Sequence, residues 1–97
     1  MIQNTNDRLI RIDEVLKELG IKRTNFYETI KELKNKFEIE ENENKKQEIF
    51  AIYILIKPKK FGRTSVWSYN QIQQFINLIR IGEIEKILSY VKSKNVA

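Results

Sequence analysis

Leu19-Gly20-Ile21-Lys22-Arg23-Thr24-Asn25-Phe26-Tyr27 is the stretch on which the fold turns. Ahead of it, Ile12, Val15, Leu16 and Leu19 recur at helical spacing, with Asp13 as the expected N-cap and Gly20 as the C-cap residue. Behind it, Phe26, Ile30, Leu33 and Phe37 fall at i, i+4, i+7 and i+11, one face of a second helix. Only Ile21 and Lys22 separate the two runs. A link that short forces the helices to cross steeply, as in a helix-turn-helix, and forbids an antiparallel pair.

Further along, residues 38–48 are acidic and rich in Asn, without a usable period, and read as a loop or a frayed helical extension. The run Ile49-Phe50-Ala51-Ile52-Tyr53-Ile54-Leu55-Ile56 is β-branched and aromatic, and its length suits a buried strand. Pro58 ends it, Lys57–Gly62 forms a turn, and Thr64–Trp67 is the returning strand, giving a hairpin over 49–67. Ser68 followed by Gln71 is a capping-box signature for a third helix, which would bury Ile72, Phe75, Ile76 and Ile79. After Gly82, the segment Glu83–Lys92 continues with Ile84, Ile87, Leu88 and Val91 on one stripe. The expected fold is mainly α with a small β-hairpin: a winged helix-turn-helix in the order α-α-β-β-α-α. Residues 1–7 would be a flexible arm, 8–80 the domain and 81–97 a C-terminal helical extension.

Composition narrows the function classes. A chain of 97 residues holds one domain with a lean core. It has no Cys and no His, so disulfides, thiolate chemistry and the common zinc sites are excluded. Neither a phosphate-cradling glycine loop nor a H-E-x-x-H motif occurs, and no enzyme activity or cofactor is expected. No apolar run approaches the ~20 residues of a membrane span, and a cytoplasmic location is expected. The formal charge is +5, unevenly spread: +3 over residues 20–36, −3 over 37–48 and +4 over 57–63. Two basic blocks around an acidic one suit a face that meets a polyanion.

The same residues resemble the opening of MerR-like helix-turn-helix domains. They are most similar to the short excisionase and prophage-regulator (AlpA-type) branch. The likeness rests on Arg11-Ile12-Asp13-Glu14-Val15, on Leu19 through Tyr27, and on Ile30-Lys31. Phe61-Gly62-Arg63-Thr64-Ser65-Val66-Trp67-Ser68 is similar to that branch's wing and covers the approach to its last helix. The resemblance spans residues 9–34 and 60–79. It departs from the family where Lys22 replaces a serine N-cap and where Glu38–Ile56 is inserted between recognition helix and wing. It implies a DNA-binding regulator, recombination directionality factor, or phage or plasmid maintenance protein, with Trp67 buried between wing and last helix. The sixteen Ile, thirteen Lys and nine Asn agree with an AT-rich source.

The candidate DNA-binding residues are Lys22, Arg23, Thr24, Asn25, Tyr27 and Lys31 on the second helix, and Lys57, Lys59, Lys60 and Arg63 at the hairpin turn. Arg can read guanine bidentately and Asn adenine, while Lys and Thr serve phosphates. With Phe26, Ile30 and Leu33 inward, Glu28, Thr29 and Glu32 are also expected outward or at the margins, so the N-terminal end of the helix would enter the groove. The expected partner is double-stranded DNA, with a recombinase or polymerase as a possible protein partner. The stripe Ile84, Ile87, Leu88 and Val91 either covers the core or pairs two copies, and a homodimer is expected from it. The alternative is a protein-interaction adaptor or antirepressor on the same fold. A third reading takes Tyr53, Phe61 and Trp67 as stacking platforms for single strands.

Overall fold

The computed structural model describes residues 7–88. Its elements run β1 (Leu9–Ile10), α1 (Ile12–Leu19), α2 (Arg23–Ile39), α3 (Glu43–Ile56), β2 (Lys59–Phe61), β3 (Thr64–Ser68), α4 (Tyr69–Arg80) and α5 (Glu83–Ile87). The chain is mainly helical, with one three-stranded antiparallel sheet in the order β1-β3-β2.

The tight link between α1 and α2 is present and has a local cause. Gly20 takes φ +70°, the left-handed conformation that ends helices, and its N–H and that of Ile21 both reach the Leu16 carbonyl at 2.8 and 3.3 Å. Arg11, not Asp13, is the residue that caps α1, and it makes no side-chain cap. Asp13 instead lies inside the first turn, where a carboxylate suits the positive end of the helix.

The largest correction concerns residues 38–56. Only residues 40–42 lie outside a helix there, and no strand exists. Helix α2 runs on to Ile39, and Asn42 then caps a new helix by accepting from the Lys45 N–H at 3.0 Å. Ile49, Ile52, Leu55 and Ile56 are its buried residues, spaced i, i+3, i+6 and i+7. That is a helical stripe hidden inside a run that is apolar on every side. The hairpin is therefore shorter than 49–67: β2 and β3 pair Lys59 with Val66, Lys60 with Ser65 and Phe61 with Thr64.

Trp67 sits at the centre, fully buried. Its indole N–H donates to the Ile56 carbonyl at 2.8 Å, satisfying one of the carbonyls left over at the end of α3. Its ring meets Phe26 of α2 edge-on at 5.7 Å. Around this pair lie Ile10, Val15, Leu33, Ile72 and Phe75.

Ser68 caps α4 as its sequence signature indicates, accepting from the Gln71 N–H. A second cap comes from far away in the chain. The Asn70 N–H donates to the Asp7 carboxylate at 3.0 Å, the Tyr69 N–H to the Arg8 carbonyl at 2.8 Å, and the Ser68 hydroxyl to Asp7 at 2.9 Å. The Arg8 guanidinium lies over the Tyr69 ring, 4.6 Å from its centroid, and pairs with Glu14 at 2.6 Å. Asp7 is thus anchored and not part of a free arm. Residues 1–6 lie outside the described residues.

Ile79, expected in the core, is exposed. Ile84 and Leu88, assigned to a dimer seam, are 2% and 0% exposed within this single chain, and Ile87 packs half-buried against the same core. The stripe covers its own domain, because α5 turns back at Gly82 onto α4 and brings its apolar side inward. Val91 lies outside the described residues. No helix among the described residues is long and apolar enough to cross a membrane.

Candidate nucleic-acid interface

The start of α2 gathers the first group of candidates. Lys22 occupies the N-cap position, makes no side-chain cap hydrogen bond, and no carboxylate falls in the first turn. A helix start without its own acidic cap offers amide donors and a positive dipole end to an anion. Lys22, Arg23 and Thr24 are exposed around it, and Asn25 is half-buried. Arg23 stands 4.0 Å from Asp13, both side chains well into solvent, a contact weak enough for a phosphate or base to displace.

One turn on, Tyr27 is exposed and its ring leans edge-on against Phe26 at 5.5 Å. Lys31 follows on the same face, and Lys34, not singled out from the sequence, extends it at i+7 from Tyr27. Glu28 shares the exposed side, whereas Thr29, expected at the margin, is buried with its hydroxyl donating to the Asn25 carbonyl at 2.8 Å. The basic character is therefore strongest at the two ends of this face, with Glu28 between them.

The hairpin holds the second group, and pairing register sorts its lysines. Lys60 faces Ser65 across the ladder, and Ser65 shares a sheet face with Trp67, the face packed on Phe26 of α2. Lys60 thus lies on the α2 side of the sheet. Lys59 pairs with Val66 on the opposite face, and its ammonium donates to the Gln71 side chain at 2.9 Å and the Ile54 carbonyl at 3.4 Å. Partial burial, and then the neighbouring Lys57, push the Lys59 ammonium below its ordinary value. Lys59 is committed to tying the hairpin to α3 and α4. Lys57, Lys60 and Arg63 are exposed, and none has an ion-pair partner among the described residues.

Gly62, at φ +66°, makes the two-residue turn between Phe61 and Thr64. Phe61 beside it is 74% exposed. Of the three aromatics considered as single-strand platforms, Trp67 is sealed in the core and Tyr53 is half-buried against it, so only Phe61 presents its ring freely. The sequence signal that sharpens this region is an absence of acids: between Glu48 and Glu83 there is no carboxylate at all. Acidic side chains concentrate instead where α2 ends and α3 begins, at Glu38, Glu40, Glu41 and Glu43.

Compared with known proteins, the chain matches no family model, no curated protein and no solved structure.

Proposed function

We propose that this protein binds duplex DNA as a winged helix-turn-helix domain. The first turn of α2 enters the major groove, and the β2–β3 hairpin serves as the wing on the adjacent backbone or minor groove. The observation that carries the reading is the pairing of two carboxylate-free basic segments, the α2 start and the hairpin, with Lys60 on the α2 side of the sheet. The resemblance of residues 9–34 and 60–79 to MerR-like and excisionase domains supports it. The role is that of a transcriptional regulator, a recombination directionality factor, or a phage or plasmid maintenance protein, acting without cofactor.

The test is fluorescence anisotropy on labelled duplexes across a salt series. Affinity falls steeply with salt, each neutralised phosphate adding about −0.9 to the log–log slope. Replacing Lys60 and Arg63 together by Ala flattens the slope by about two units, while Lys59→Ala flattens it least because its ammonium is engaged internally. Binding to no duplex at low salt defeats the proposal.

A second reading is an adaptor that meets another protein. It is favoured by Phe50, 44% exposed and tilted against Phe37 at 5.2 Å, beside the acidic junction of α2 and α3. Substituting Phe50 leaves duplex affinity unchanged in the first reading. In the second, it abolishes capture of the partner.

A further inference from the structure

The hairpin tip carries a feature that phosphate binding leaves unexplained. Phe61 is the last residue of β2, next to a turn whose remaining members are Gly62 and Arg63. Its side chain is 74% exposed, and it has no ring partner among the described residues. Phe50 lies tilted against both Phe37 and Tyr53, and Phe26 packs on Trp67. A large ring left this exposed beside a turn, outside the core cluster, contributes little to the core. A tip that only tracked a phosphate backbone would need Lys60 and Arg63 alone.

We propose that Phe61 is an apolar wedge that enters between two stacked base pairs from the minor groove and kinks the duplex. This rests on the DNA-binding reading given above and specifies what the wing does to its ligand. Three observations converge on it. The ring is exposed on the last residue of β2, beside the turn. Exposed cations flank it in sequence, Lys60 before it on the other face of the sheet and Arg63 after it in the turn, so phosphates near the inserted ring have cations within the same hairpin end. The strand pair beneath is fixed, through Lys59 bonded to Gln71 and through Trp67 bonded to Ile56, so the tip is carried on a braced base. Apolar wedges inserted this way unstack a step and bend DNA toward the major groove, at a cost lowest at flexible pyrimidine–purine steps.

The proposal separates bending from binding. A duplex of about 30 base pairs, labelled at both ends for energy transfer, reports end-to-end distance while anisotropy reports occupancy. Wild-type protein shortens the distance on saturation. Phe61→Ala still binds, within about tenfold, but leaves the saturated duplex straight. Phe61→Leu retains a wedge and restores most of the bend. Equal bending by Phe61→Ala and wild type overturns the wedge and leaves the DNA-binding reading intact. Absence of duplex binding by wild type overturns both. Retention on phosphatidylserine vesicles but not on duplex would assign the aromatic tip to an anionic membrane surface instead. Circular dichroism of each variant establishes that it is folded, and an exposed Phe at a turn can be replaced without opening the core.

Discussion

Asp7 shows how one side chain can matter to an element sixty positions away. Its carboxylate accepts from the Asn70 N–H above all, and also from the Ser68 hydroxyl and the Arg8 N–H, and these bonds hold its pKa below that of an ordinary aspartate. A depressed folded pKa means the contribution is present above the unfolded value and lost as pH falls through the folded one. Asp7→Asn therefore lowers the melting temperature at neutral pH and narrows the gap between melts at pH 7 and in acid. Because the carboxylate is exposed, the effect stays within about 1 kcal/mol. A variant whose acid sensitivity equals wild type removes Asp7 from the cap. Features of this kind divide by range. Gly20 and Ser68 are legible in the sequence because a cap is decided by neighbours three or four residues away. Asp7 and Lys59 are not, since their partners Asn70, Ser68 and Gln71 arrive only when the chain has folded.

Helix α3 gives the same lesson for elements. Ile49–Ile56 satisfies every local criterion for a strand, and an all-apolar run has no polar face from which a period can be read. Two things decide for a helix. Asn42 starts it and the polar residues 43–48 extend it, so the apolar run joins a helix already under way. The long face of α2 then offers Phe37 to Phe50 along its side. Helix propensity of Ile and Tyr is only slightly unfavourable and is overridden by this packing. The start is the point at which the element can be weakened. Asn42→Ala removes the cap on the Lys45 amide and costs about 1 kcal/mol, read in urea unfolding, with the exposed cations of α2 and the hairpin untouched. Loss of helical signal without loss of stability contradicts this account. The paired helix and turn of α1–α2 were legible where the hairpin was only half so. β3 stands as expected, while the turn, expected over Lys57–Gly62, narrows to residues 62–63 and the first arm of the hairpin shrinks from eight residues to Lys59–Phe61.

At the scale of the molecule, α5 decides how much of the chain is needed. Ile84 and Leu88 close the core against α4, so the domain does not end at Arg80. Leu88→Ala costs about 2–5 kcal/mol, a large share of the stability of a domain this small. A chain stopped at Arg80 loses both side chains and melts many degrees lower, at roughly 4–8 °C per kcal/mol. Differential scanning calorimetry checks both variants. A stop at Arg80 that melts like the full chain would return α5 to the surface. The charge distribution is also a property of the whole. Acids gather at the α2–α3 junction and are missing from Ile49 through Gly82, so charge of opposite sign is carried by different stretches of the chain.

The pairing of β1 with β3 sets an order of events in synthesis. Asp7 and Ser68 stand 61 positions apart, and Leu9 waits for Ser68 as its ladder partner. At ordinary translation speed the ribosome takes roughly 3–12 s to cover that distance. Throughout that interval α1 and α2 exist without the Trp67 side chain that joins them to the sheet, and Ile10 has no strand beside it. The sheet therefore cannot form until β3 has been made, and translation products interrupted before it lack both the sheet and the β2–β3 hairpin.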